Sequence, residues 1–462
     1  MKEKPKPYLI ASYCKGCGRC IDACPKGCIH EGTTINSFSG LIPVELQLDQ
    51  CNGCGLCLSA CPEPYGLRVP DECFEAEFPD FESLSNLHSK HVFSAAPIPD
   101  EPIPLMATKT LVIKGMHASA IGALLAGCRH FFGYPITPST EGAELMAKLL
   151  PELNGIFVQA VSEVATVNFM YGCAAAGLPC MTFTSSPGFS LMLEGLSYMI
   201  GAELPAVFVN VMRGGPGLGN IGPEQADIKL ACRGLGHGNT HAIVLAPSTP
   251  QEMLDLTILS FNLTFKYRNP VVIVGDGYMG QMTGKVNLPE CMNKPGIPEW
   301  AVYGDEAHRG NLISSIQLSV EDLEAHNIHL NDKYDRIEQN EQRSEKFLCR
   351  DADVLLVACN TPARMAKGAV RQLRNIGISA GLFRPITLWP FPIEDLASVI
   401  PQVKKIVMVE AGSGQLENEM RLALSRNGIA CPPVRTIQHS GGVLPQTEEI
   451  VQRVRSLEEV YV

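Results

Sequence analysis

Cys14, Cys17, Cys20 and Cys24-Pro25 follow the spacing C-x2-C-x2-C-x3-C-P, and Cys51, Cys54, Cys57 and Cys61-Pro62 repeat it. Thiols at this density either pair as disulfides or bind metal. Bridges replace a missing core in short secreted domains, a need that a chain of 462 residues does not have. The opening MKEKPKPYLI also lacks the apolar stretch of a secretory signal. Reduced thiols in the cytoplasm are therefore expected. Three thiolates, each two residues from the next on a tight loop, can cap three corners of an iron–sulfur cubane, and the fourth ligand must come from elsewhere. Zinc is the competing occupant, although its structural sites usually take paired C-x2-C arms across a longer loop.

Residues 1–70 resemble a bacterial two-cluster ferredoxin, in which the fourth cysteine of each run ligates the other cluster. On that pattern Cys14, Cys17, Cys20 and Cys61 hold one [4Fe-4S] cluster, and Cys51, Cys54, Cys57 and Cys24 hold the second. Cys28 and Cys73 fall outside it and read as packing or spare thiols.

Three further residues stand where ligands bind in open parallel sheets, beyond the carboxyl ends of strands. Thr137 closes FFGYPIT before Pro138, where it could equally cap the next helix. Glu163 follows IFVQAVS at a helix start, where the macrodipole alone would favour a carboxylate. Arg213 ends AVFVNVM and precedes GGPGLG, a loop that lets a ligand approach. Its guanidinium could grip a carboxylate with two hydrogen bonds, or form an ion pair at the rim. The VGDGYMG segment suggests a diphosphate–metal motif, but Asn287, Asn293 and Asn311 do not fall at the distance that motif requires. GDG is therefore read as a strand end and turn.

These residues need a scaffold, and the chain alternates short apolar runs with helical patterns from about Thr108 onward. The alternation predicts a doubly wound, mostly parallel α/β domain over 108–282 and a smaller α/β domain over 349–462. A small α+β domain, 1–70, precedes them. Residues 71–107 read as a linker ending in a proline cluster, and 283–348 as a polar connecting arm with an exposed helix. Length alone suggests about three domains. The formal net charge of −11, without a Lys/Arg run, argues against nucleic acid. No apolar stretch is long enough to span a membrane.

YPITPSTE, SEVATVNFMYGCAAAG, TSSPGFSLMLEG, GAELPAVFVNVMRGGPGLG, KYRNPVVIVGDG and RPITLWPFP, in that order, resemble the alpha subunit of the 2-oxoacid:ferredoxin oxidoreductases over residues 108–430. The fold implied is a thiamine-enzyme pyrimidine-binding domain followed by a transketolase-like C-terminal domain. The resemblance gives Glu163 the role of hydrogen-bonding N1′ of the thiamine aminopyrimidine, Thr137 that of touching substrate, and Arg213 that of binding the 2-oxoacid carboxylate. It implies thiamine diphosphate with Mg²⁺, held mainly by a beta subunit, and coenzyme A as co-substrate. Partners implied are that beta subunit, a gamma subunit and an external ferredoxin, in a hetero-oligomer of higher order. The form GGPGLG resembles 2-ketoisovalerate enzymes more than 2-oxoglutarate ones, which remain the alternative. A rival of another class is a scaffold that has lost catalysis and only docks the ferredoxin.

Overall fold

The computed structural model describes residues 4–36, 40–63, 66–70, 99–105 and 110–459. The chain divides into two compact units, Met1–His91 and Val92–Val462. Cys73 and most of the expected linker lie outside the described residues.

The first unit is built from two similar halves. Tyr8–Leu9 pairs antiparallel with Leu67–Arg68, and Ile29–His30 with Glu45–Leu46. The short helices Arg19–Asp22 and Leu56–Ala60 each start after a left-handed glycine, Gly18 at φ 74° and Gly55 at φ 79°. Buried Ile29, Val44 and Leu67 share the core with Cys20 and Cys57. Apolar burial on this scale stabilises little.

In the second unit a seven-stranded sheet runs in the order Thr387–Trp389, Ile243–Leu245, Val271–Asp276, Val207–Met212, Cys180–Ser185, His130–Gly133, Ile156–Gln159. Six strands are parallel and Thr387–Trp389 is antiparallel. Val207–Met212 and Val271–Asp276 are buried at every position, as central parallel strands covered on both faces must be. The smaller sheet runs Ser344–Phe347, Ala380–Pro385, Val354–Val357, Lys405–Glu410, Val434–Gln438.

Segments that read as connections contribute strands. Glu101–Pro104, from the expected linker, pairs with Cys291–Lys294, and Thr110–Lys114 pairs with Thr283–Asn287. Ser344–Phe347 edges the smaller sheet, antiparallel to Ala380–Pro385. Such short, half-polar edge strands carry too few residues for a periodic signal. The arm helix, expected to be exposed, spans Val320–Asn340 and buries Leu330, Lys333, Tyr334 and Ile337.

Thr387–Trp389 belongs by sequence to the C-terminal part, yet it extends the larger sheet beside Ile243–Leu245. An aromatic joint accounts for the exchange. The Trp389 and His241 rings stack at 4.5 Å, and Tyr334 of the arm helix meets both edge-on. Gln225 binds the Ala411 backbone both ways, its N–H donating at 2.6 Å and its Oε1 accepting at 2.9 Å. Its Nε2 donates to the Asn360 side chain and to the Cys359 carbonyl.

Burial, with Arg233 and Arg426 nearby, pushes His241 down to about 4. An unfolded histidine binds its proton near pH 6.5. Stability from the neutral stacked ring is therefore complete above that pH and is lost as pH falls through about 4. Urea midpoints measured from pH 7 to 4 should fall in the native protein, and His241→Phe, which keeps the stack, should flatten that fall.

Candidate active site

Four adjacent parallel strands deliver side chains to one end of the larger sheet. Glu163 follows Ile156–Gln159, Thr137 follows His130–Gly133, Thr184 and Ser185 close Cys180–Ser185, and Arg213 follows Val207–Met212. The structure thus brings Thr137, Glu163 and Arg213 to a common edge.

Glu163 opens the helix Glu163–Ala175, whose first turn is capped by Ser162 Oγ accepting from the Ala165 N–H at 3.2 Å. With the cap supplied by Ser162, the Glu163 carboxylate is not needed for that role. It is only 5% exposed, and among the described residues it receives no hydrogen bond. Its Oε1 and the Thr184 hydroxyl border Gly188, where an added Cβ would overlap both. Thr184 Oγ1 is buried and also unpartnered among the described residues. A buried carboxylate, an orphaned hydroxyl and a glycine that makes room between them form a polar cradle.

Thr137 is not a helix cap. The next helix starts at Thr140 with Ser139 in the capping position, and Ser139 Oγ donates to the Ile136 carbonyl at 2.7 Å. Thr137 instead offers its carbonyl to Arg213 Nη1 at 2.7 Å, which leaves its side chain exposed at the edge. Arg213 Nη2 donates to the Leu218 carbonyl at 3.2 Å, and Nε is buried without a partner among the described residues. The expected alternative, a rim ion pair, does not form among these residues. Carbonyls aim the guanidinium and leave its charge uncompensated, as a carboxylate site requires.

Behind Arg213 its backbone N–H donates to Ser186 Oγ at 3.0 Å, in the helix that carries Gly188. Asn210 Nδ2 donates to Asp227 at 2.9 Å, and burial raises the Asp227 carboxyl above its usual range. The glycine loop is closed by the Gly214 N–H donating to the Gly222 carbonyl at 2.9 Å. Glu224 Oε2 accepts from Gly215 and Gly441, each at 3.2 Å, tying the loop to the C-terminal part. Sequence reading passed over Thr184, Ser186, Gly188 and Glu224, although TSSPG, a strand end in small polar residues before proline, was the available signal.

Asp276 of GDG is committed elsewhere. Its Oδ1 accepts from the Met279 N–H and the Thr361 hydroxyl, both at 2.8 Å, and its Oδ2 from the Thr361 N–H at 2.9 Å. The motif is a strand end that caps one helix and anchors another.

In the first unit two cavities are each bounded by four of the patterned cysteines. Cys14, Cys17, Cys20 and Cys61 surround one; Cys24, Cys51, Cys54 and Cys57 surround the other, where Cys28 also lies. Backbone N–H groups donate to two of these sulfurs, Val44 to Cys14 at 3.4 Å and Cys28 to Cys24 at 3.2 Å. Among the described residues no three Cys, His, Asp or Glu side chains converge on a single ion. Ligands spread around a cavity suit a multi-atom cluster.

Residues 121–346 match the pyruvate flavodoxin/ferredoxin oxidoreductase thiamine diphosphate-binding domain, 352–450 the pyruvate:ferredoxin oxidoreductase core domain II, and 13–65 a 4Fe-4S dicluster domain. The ketoisovalerate oxidoreductase subunit VorB of Methanothermobacter thermautotrophicus is 44% identical over 350 residues, which cover 75% of this chain and 98% of that protein. The chain belongs to the 2-oxoacid:ferredoxin oxidoreductases. The 2-oxoglutarate synthase subunit KorA of Methanocaldococcus jannaschii is 36% identical, over 75% of this chain and 99% of that one. The solved 2-oxoglutarate:ferredoxin oxidoreductase from Magnetococcus marinus, with 2-oxoglutarate, coenzyme A and succinyl-CoA bound, superposes with a TM-score of 0.68 at 27% identity. That match covers 75% of this chain and 65% of the solved one.

As a member of this oxidoreductase family the chain uses thiamine diphosphate and two [4Fe-4S] clusters. Its residues fit the aminopyrimidine end of thiamine, because the cradle over Gly188 offers the Glu163 carboxylate beside a Thr184 hydroxyl that has no partner among the described residues. They do not offer Asp276 to the diphosphate end. Among the described residues no helix is long and apolar enough to cross a membrane.

Gly188→Ala would fill the cradle. It should weaken thiamine diphosphate binding by about tenfold or more, or about 1.4 kcal/mol, with far-ultraviolet circular dichroism unchanged; calorimetry on the assembled oxidoreductase reads this. Asp276→Ala should instead leave cofactor affinity intact and destabilise the unit by about 2–4 kcal/mol, since it strands three donors.

Proposed function

We propose that this chain activates the aminopyrimidine and binds the substrate carboxylate in an oxidoreductase acting on a branched-chain 2-oxoacid such as 2-oxoisovalerate. Coenzyme A takes up the acyl group, and both electrons leave through the chain's own two clusters. The balance is 2-oxoacid anion plus coenzyme A thiol giving acyl-CoA, CO2, one proton and two electrons. Two one-electron clusters match that count.

The observation that carries the reading is the nearly buried Glu163 carboxylate, without a hydrogen bond among the described residues, at the same end of the sheet as Arg213. Thiamine diphosphate, when bound, supplies the nucleophilic carbon and accommodates the electrons released with CO2. Glu163 holds a proton at the pyrimidine nitrogen, so that the amine across the ring can lose one. Arg213, aimed by the Thr137 and Leu218 carbonyls, orients the 2-oxoacid by its carboxylate, and Thr137 contacts the same molecule.

Exposed apolar residues ring this edge, Val161 at 88%, Leu218 at 83% and Ile221 at 61%. Exposed apolar residues around a charged site favour a protein partner. We assign that partner as a beta subunit bringing the diphosphate and Mg²⁺ ligands, since Asp276 is occupied. A gamma subunit and an external ferredoxin would complete the pathway, and the free thiols suit a cytoplasmic enzyme. The branched-chain substrate is supported by the GGPGLG loop and by the 44% identity to the ketoisovalerate subunit. The 36% identity to a 2-oxoglutarate synthase subunit supports 2-oxoglutarate as the second reading.

The deciding assay is viologen reduction by the chain co-expressed anaerobically with its partner subunits, comparing 2-oxoisovalerate, 2-oxoglutarate and pyruvate with coenzyme A. 2-Oxoisovalerate should be the best substrate; a preference for 2-oxoglutarate keeps the class and overturns the substrate. Glu163→Ala should lower turnover about 10²–10⁴-fold, and near-normal turnover with every acid would remove its role. Crossed cluster ligation predicts that, once Cys14, Cys17 and Cys20 are serine, Cys61→Ser changes the remaining paramagnetic resonance signal little, whereas Cys24→Ser disrupts it.

A further inference from the structure

Thr184 stands one residue before the end of its strand, 1% exposed, with a hydroxyl that has no partner among the described residues. A buried hydroxyl left unpaired costs about 1–3 kcal/mol. Valine has the same shape and suits a strand, so at a purely structural position the hydroxyl is a burden. The position is not purely structural, because Thr184 Oγ1 and Glu163 Oε1 border the same point above Gly188.

The neighbour of Thr184 in register on the adjacent strand is Asn210, also fully buried. Its amide is oriented by Asp227, to which Nδ2 donates, and its Oδ1 is left unpaired. Asn210 commits one amide N–H to Asp227, whereas Thr184 brings its hydroxyl to the point that Glu163 Oε1 also borders. A carboxylate that shares one oxygen with a ring nitrogen needs a donor on the other oxygen, or it is free to rotate out of alignment. A hydrogen bond to the charged form also favours the anion, which moves the shared proton toward the ring.

We propose that Thr184 is a positioning residue for Glu163: its hydroxyl, which has no partner among the described residues, donates to the Glu163 carboxylate when the aminopyrimidine is bound. The inference rests on the role given to Glu163 under Proposed function. Thr184 itself touches neither substrate nor the reacting carbon.

The test uses the assembled complex with bound thiamine diphosphate and no 2-oxoacid, and measures exchange of the thiazolium C2 proton for deuterium by acid quench and magnetic resonance. Cofactor affinity is measured separately by calorimetry. At saturating cofactor, Thr184→Val should slow exchange at least tenfold, while Thr184→Ser stays within threefold of native. A merely structural role would alter affinity or melting temperature and leave exchange at saturation unchanged. Exchange slowed less than tenfold in Thr184→Val, with Glu163→Gln strongly slowed, overturns this inference alone. Native-rate exchange in Glu163→Gln overturns the role of Glu163 and this inference with it. Thr184→Cys, similar in size and only a weak donor, is judged by the same limits if the valine variant does not assemble.

Discussion

A carboxylate on a nearly buried residue, with no hydrogen bond among the described residues, is the constraint around which the larger unit is organised. Burying such a group costs several kcal/mol unless something pairs with it. The fold tolerates Glu163 in this state because Ser162 takes over the capping of its helix and Gly188 leaves room beside it. The parallel sheet then brings Thr137, Thr184 and Arg213 to the same edge, since every parallel strand ends there.

The C-terminal part braces that edge. Asp276 joins its own helix start to Thr361, Gln225 joins its loop to Ala411, and Glu224 joins the glycine loop to Gly441. Each is a polar side chain, mostly or fully buried, whose partners include a backbone group of a distant segment, so each fixes geometry as well as stability. Loss of any of them would reach the Arg213 loop through the backbone.

The cysteine-rich unit solves a different problem with few residues. Gly16, Gly18, Gly53 and Gly55 all adopt left-handed backbone, which turns successive thiols of each run toward one cavity. A β-carbon disfavours this conformation, so the glycines between the cysteines are as much part of the cluster signature as the cysteines themselves.

The sequence alone determined the chemistry that depends on local spacing. Cysteine intervals pointed to two clusters, apolar alternation to a parallel α/β fold, and motifs at strand ends to Glu163, Thr137 and Arg213. It could not show that Thr137 offers its carbonyl to Arg213, because only the fold brings that carbonyl to a guanidinium 76 positions away. Nor could it assign Thr184 or Asn210, whose types are ordinary in any strand. Their meaning lies in which donors and acceptors stay unpaired after folding. Thr387–Trp389 is the clearest case at the level of the fold: three residues are too few for periodicity, and their sheet was chosen by the stacking of Trp389 on His241. Local pattern fixes what a segment can do, and tertiary packing decides which polar groups are left free to do it.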